Sequence, residues 1–180
     1  MQYLAMNPIN GFPPLEGSVL RVLILGSMPS VRSLEYHQYY GHPRNAFWPI
    51  MGELFGAGPE LPYQERTKLL TARGIGVWDV IQSCVRPGSL DAAIDDESVV
   101  YNDLGGLFAR HAELHTICLN GGKAMQSFQR YRTQTRLDIG KRRLIQLPST
   151  SPAHAAWTFE QKCEAWWAVS AALRSKSLAG

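Results

Sequence analysis

Four stretches of this chain set polar or aromatic side chains directly behind apolar runs. The first is Gly26-Ser27-Met28-Pro29-Ser30, followed by Tyr39-Tyr40-Gly41-His42-Pro43-Arg44-Asn45. The others are Trp78-Asp79, Asn120-Gly121-Gly122, and the loop Leu147-Pro148-Ser149-Thr150-Ser151-Pro152-Ala153-His154. Each type suggests a chemistry beside a plainer role. Gly26, Ser27 and Met28 form a turn whose backbone N–H groups can approach an anionic or polar ligand, or a tight turn and nothing more. Tyr40 offers a flat face on which a base drawn out of a nucleic acid can stack; half-buried packing is the other use of such a ring. Asn45 stands just ahead of an apolar helix, which it can cap, or its amide can hold a water or a substrate oxygen. Asp79 closes an apolar strand, where a carboxylate needs a partner: a base N–H, or the backbone of the next loop. Ser149, Thr150 and Ser151, stiffened by Pro148 and Pro152, suit a grip on a phosphate or a rigid turn.

Several other chemistries lack their residues. There is no GxGxxG and no GxxxxGK[ST], so a nucleotide cofactor is not expected, and Asn120-Gly121-Gly122-Lys123 reads as a turn into a helix. An acyl hydrolase built on Ser149 and His154 would lack GxSxG. Cys84, Cys118 and Cys163 are odd in number and widely spaced. They predict free thiols in a reducing compartment and no metal centre. The six basic residues from Arg130 to Arg143 form a solvated face or a set of phosphate contacts. The net charge of +3 and a pI near 8.8 permit a nucleic-acid partner without demanding one. With 45% hydrophobic and 18% charged residues the 180-residue chain reads as one globular domain. It shows no leader and no run of 18 apolar residues, so a cytoplasmic protein without membrane contact is expected.

These residues need elements to hold them. The runs VLRVLILG, IGVWDVI, LHTICLN and KRRLIQLP read as strands, the first apolar enough to be buried on both faces. Helices are predicted from FWPIMGELFG, ending at Gly56, and from PYQERTKLLTARG, closed by Gly74. Further helices are predicted from DESVVYNDLGGLFARHAE, from KAMQSFQRYR, and from a closing segment, residues 158–178, with Thr158 as its N-cap. SCVRPGSLDAAI reads as a loop, and residues 1–18 as a Pro/Gly-rich arm. The alternation predicts an α/β fold: a three-layer α/β/α sandwich around a four-stranded, mainly parallel sheet. In such sheets ligands bind at the carboxyl ends of the strands, which is where the four stretches fall.

Taken together, LILGSMPSVRSLEYHQYYGHPRNAFWPI, GIGVWDVIQSCVRPGSLD, ICLNGGKA and LPSTSPAHA resemble the uracil-DNA glycosylase superfamily, and within it the hypoxanthine-DNA glycosylase branch. HPRNAFW is also similar to the HPxNRFW segment of mismatch-specific glycosylases. The resemblance implies excision of a deaminated base, hypoxanthine first, from double-stranded DNA by hydrolysis of the N-glycosidic bond. It implies no cofactor and no metal; a monomer is the default for small repair glycosylases. By the same resemblance Asn45 holds the attacking water, Tyr40 stacks on the base, and Asp79 reads its edge. Gly26, Ser27 and Met28 line the base site. Ser149, Thr150, Ser151, Pro152 and His42 lie on the DNA side. Two departures stand out. Met28 occupies the place of the Asn in GINPG, and Leu147 the place of the His in HPSP. Both usual catalytic groups are thus missing, which keeps a lesion-binding protein without catalysis as one alternative; the other is a uracil or mismatch glycosylase, against which GSMPS in place of GINPG counts.

Overall fold

The computed structural model describes residues 6–175. Its centre is a parallel sheet in the order β3-β2-β6-β7, formed by β2 (Val22–Gly26), β3 (Ile75–Asp79), β6 (Thr116–Asn120) and β7 (Arg143–Leu147). Every residue of β2 and β3 is buried. That burial explains their unbroken apolar runs: helices cover both faces, so alternation would place polar groups in the core. α2 (Phe47–Phe55) packs on α6 (Phe159–Arg174), which lies against β2; α3 (Tyr63–Ala72) packs on β3, and α5 (Gly122–Thr135) on β6. Trp166 of α6 sits edge-on to Phe47 with ring centroids 5.9 Å apart, and its indole N–H donates to the Pro148 carbonyl at 2.9 Å. The core aromatics therefore also anchor the loop after β7.

α6 begins as predicted. The Thr158 hydroxyl accepts from Gln161 N–H, and the Gln161 side chain accepts from Thr158 N–H. This reciprocal cap is worth about 1 kcal/mol. The helix ends at Arg174, and residues 176–178 of its predicted span lie outside the described residues.

Three expectations are corrected. IGVWDVI is not one strand. The chain leaves the parallel sheet after Asp79 and enters β4 (Ile81–Cys84) in a second, antiparallel sheet, β1-β4-β5, with β1 at Ile9–Asn10 and β5 at Val100–Tyr101. The acids at 95–97 do not open a helix: Asp95 caps a short 3-10 turn, Asp96–Ser98, and α4 (Leu104–Arg110) starts later on its own cap, Asp103. An acid favours either start equally, so its type did not select one. The described part of the N-terminal arm is built into the fold. Its β1 pairs with β4, and Leu15 exchanges both backbone hydrogen bonds with Val77; residues 1–5 of the arm lie outside the described residues. One helix was not anticipated, α1 (Val31–Tyr36), capped by the Ser30 hydroxyl on Ser33 N–H. No helix among the described residues is long and apolar enough to cross a membrane.

Candidate active site

The parallel register sets Gly26 beside Asp79 and Asn120 beside Leu147. All four strand ends open on one cleft of about 360 Å³, within the range of roughly 300–1,000 Å³ usual for small-ligand sites. Gly26, Ser27, Met28, Tyr40, Asn45, Asp79, Ser149, Thr150 and Ser151 all line it. His42 does not; its Nδ1 accepts from Arg44 N–H at 3.0 Å, which shapes the turn ahead of Asn45. Pro152 is exposed beside the rim. None of the six basic residues from 130 to 143 reaches the cleft. Arg130 pairs with Asp96, and Arg142 lies over the Phe108 ring with its guanidinium on backbone carbonyls.

One side of the cleft is set by backbone. Asn45 is not the N-cap of α2, which is Ala46, but its Oδ1 accepts from Phe47 N–H at 2.9 Å, so one amide both supports the helix start and lines the cleft. That bond fixes which way the amide faces and leaves its oxygen a second lone pair. The next residue, Ala46, donates its N–H to the Thr150 carbonyl at 2.9 Å, tying the start of α2 to the loop after β7. Thr150 is itself clamped. Asn120 Nδ2 donates to its hydroxyl at 2.9 Å, and Asn120 Oδ1 accepts its N–H at 3.0 Å. With 1% exposure, Thr150 positions the loop from within. Gly121 makes the clamp possible: at φ 93° it adopts a conformation that favours glycine, and a Cβ there would lie 2.9 Å from Ser149 Cβ. The Ser149 and Ser151 hydroxyls accept from Ser151 and Ala153 N–H, each at 3.2 Å, and no hydrogen bond joins Ser149 to His154.

The other side is aromatic and acidic. Tyr40 is held at φ 54°, a costly angle for a bulky residue. One face of its ring stacks on Phe47 at 4.1 Å. Its hydroxyl is buried without a hydrogen bond, and burial together with Asp79 drives its pKa upward. Asn120 nearby favours the phenolate slightly. Asp79 is 4% exposed, and its Oδ2 has no partner. Its pKa is pushed up to about 7, first by burial and then by the charge of Asp91, with Arg86 opposing. Gly26 lets these groups converge, for a Cβ there would lie 2.5 Å from Asp79 Oδ1 and 3.0 Å from the Tyr40 hydroxyl. Met28 packs with Ile81, Cys84 and Ile94.

Sequence reasoning missed Asp91 and Arg86, and gave Asn120 only a place in a turn. Asp91 opens a 3-10 turn, Asp91–Ala93, inside the stretch read as a loop, lines the cleft, and accepts from the Ser27 hydroxyl at 2.7 Å. Arg86 is 4% exposed and donates to the Gly88 and Pro29 carbonyls, which binds this stretch to the turn after β2. The signal available was the acid itself, in a stretch that also carries Pro87 and Gly88.

A parallel α/β sheet with a polar, aromatic-walled cleft at its carboxyl edge defines a site for a flat, hydrogen-bonding ligand. The family model of the uracil DNA glycosylase superfamily matches residues 14–174, and the chain belongs to that superfamily. Two curated relatives are named hypoxanthine DNA glycosylase. That of Methanosarcina acetivorans is 41% identical and that of Methanosarcina barkeri 38% identical, each over 115 residues, 63% of this chain and 72% of the relative. The solution NMR structure of a Methanosarcina acetivorans protein provisionally described as a uracil DNA glycosylase superposes with a TM-score of 0.75. It is 34% identical, over 94% of this chain and all of that one.

Proposed function

We propose that this protein is a monofunctional DNA glycosylase that removes hypoxanthine from deoxyinosine in double-stranded DNA, acting as a monomer in the cytoplasm. The carrying observation is the pairing, in one cleft, of a backbone-oriented amide, Asn45, with a buried acid, Asp79, in a chain whose named relatives are hypoxanthine DNA glycosylases.

A base stacked in a duplex does not present its C1′ to a water, so the nucleotide is extruded, at a cost of a few kcal/mol that is least for mispaired bases. Tyr40 offers the extruded base the ring face not taken by Phe47; such stacking contributes about 1–3 kcal/mol. Cleavage moves the glycosidic electron pair onto the base and leaves an oxocarbenium-like sugar. Water adds to C1′, and its proton passes to solvent or to the base. Asn45 acts by placement: its carbonyl holds the water, and holding reactants in register is worth several kcal/mol without a strong base. Ser149 and Ser151 sit where loop hydroxyls and N–H groups meet DNA phosphates. The exposed Leu90, which also lines the cleft, supplies the apolar edge that the Ser-rich loop lacks.

The test is single-turnover release of hypoxanthine or uracil from duplexes carrying one lesion, read as alkali-labile sites with chelator present. Wild type is expected to cut at inosine, and Asn45→Ala to lose at least a hundredfold while staying folded. Cutting at uracil alone would move the protein to the neighbouring specificity. Lesion binding without turnover would sink the catalytic reading.

A further inference from the structure

We infer that Asp79 meets the extruded base as a neutral carboxylic acid, with Asp91 as the charged member of the pair, and so reads a lactam edge, an N–H beside a C=O. The inference rests on the glycosylase reading above and deepens it. It concerns which bases the cleft accepts and how acceptance depends on pH.

Geometry carries it. Asp79 forms no ion pair among the described residues, its Oδ2 is orphaned out of reach of solvent, and Oδ1 is packed against Gly26. A buried carboxylate with neither cation nor donor is too costly to stay ionised. The neighbouring groups do not rescue it. Tyr39 and Tyr40, from the segment ahead of α2, are phenols that burial keeps protonated. Arg86, after β4, puts its Nε and one terminal nitrogen on backbone carbonyls and leaves the other buried without a partner; its charge favours the Asp79 carboxylate, but less than burial and Asp91 oppose it. Lys123, at the head of α5, pairs with Asp96 at 3.1 Å. Asn102 reaches the Asp79 backbone carbonyl, not its carboxyl. Burial raises the pKa of Asp91 as well, but Asp91 has a donor that Asp79 lacks: the Ser27 hydroxyl donates to it at 2.7 Å, and Arg86 and Lys123 further oppose the rise. When two carboxyls share a site, the proton goes to the one with fewer donors.

The protonation state decides the code. A neutral acid accepts from the base N1–H and donates its O–H to O6, two hydrogen bonds that match the lactam edge of hypoxanthine and equally those of uracil, xanthine and guanine. A carboxylate accepts N1–H but turns a second acceptor toward O6. It would instead match guanine, which sets an amino group beside N1–H. Holding Asp79 neutral thus withdraws the advantage that a carboxylate would give guanine through its amino group, and places deaminated bases on equal terms with it. Asp91 is a positioning residue, since it acts on the base through Asp79.

Two measurements test this. The first is single-turnover excision of hypoxanthine between pH 5.5 and 9. Wild type is expected to hold its rate below about pH 7 and to lose about tenfold per unit above it, as a group that must be protonated requires. Asp79→Asn presents a donor and an acceptor at every pH. It is expected to lose the alkaline limb and to exceed wild type by tenfold or more at pH 9; ionisation of the substrate itself affects both proteins alike. A wild-type rate that is level or rising from pH 6 to 9 would overturn the inference. The second needs no turnover: the carboxyl carbon of Asp79 in the free protein, followed by NMR with aspartate labelled and assigned through the variant. Titration near pH 7 upholds the neutral acid, and titration below pH 5 overturns it. Titration near 7 in a protein that excises no lesion at any pH would uphold the neutral acid and remove the glycosylase reading instead.

Discussion

Gly26→Ala isolates the convergence of Gly26, Asp79 and Tyr40 with one methyl group. Gly26 does not occupy the left-handed region, so alanine fits its backbone and the perturbation is steric alone. The added carbon would lie 2.5 Å from Asp79 Oδ1, where ordinary contact begins near 3.4 Å. The carboxyl must therefore retreat by about 0.9 Å, and the Tyr40 hydroxyl, at 3.0 Å, by about 0.4 Å. Neither has free space behind it, because β3 is buried throughout and Tyr40 rests on Phe47. Overpacking of this kind costs about 1–3 kcal/mol of stability, too little to unfold a domain of ordinary stability. Its effect on recognition is larger. A displacement near 1 Å at a reacting centre is worth about a hundredfold in rate. Single-turnover excision from an inosine duplex should therefore fall by about a hundredfold, while urea unfolding shows a shift of at most a few kcal/mol. A variant within threefold of wild type would refute the reasoning, since the base would not then be touching these groups.

Asn120→Ala should lower stability by about 1–3 kcal/mol in urea unfolding, because it leaves the buried Thr150 hydroxyl and N–H without partners. It should also slow excision, since the Thr150 carbonyl holds the start of α2. Stability itself should fall with rising pH between about 4 and 7. The native protein keeps a proton on Asp79 up to about pH 7, whereas the unfolded chain releases it near 3.8, so the unfolded state binds fewer protons across that window. A shift of about 3 units corresponds to roughly 4 kcal/mol. Asp79→Asn should remove that slope, seen by comparing urea midpoints at pH 5 and 8. Leu90→Ala should weaken extrusion, read as a smaller rise in 2-aminopurine fluorescence beside the lesion, with excision from single strands little changed.

The parallel sheet was legible because its strands are buried on both faces, and burial writes itself as continuous apolar runs. The cleft followed from the rule that ligands gather at strand ends, which placed Gly26, Asp79 and the Ser-rich loop without knowledge of any contact. The second sheet left no such trace. β1 and β5 have two residues each, and Ile81-Gln82-Ser83-Cys84 is too short for a period to emerge. Asp91 and Arg86 were hidden for a related reason. Their partners, Ser27 and Pro29, are 64 and 57 residues away, and no local pattern encodes such a distance. Asn120 was visible as a strand-end amide, but its service to Thr150, 30 residues on, depends on the β6–β7 register.

The charge arrangement also bears on catalysis with Met28 and Leu147 at the places where the resemblance puts an Asn and a His. Asp91 is held beside the base site by Ser27, with the Arg86 and Lys123 cations offsetting part of its charge. A negative charge opposes departure of an anionic base and favours the cationic sugar left behind. The two effects are reconciled when the departing base is met by a hydrogen-bond donor. A neutral Asp79 supplies that donor at O6, where the charge of the leaving purine is shared. Water on the opposite side then needs little activation, because the sugar is already electron-poor when it arrives; in the proposed mechanism the amide of Asn45, fixed by Phe47 N–H, holds it. On this reasoning the acid that meets the base and the donor that assists its departure are one group, Asp79.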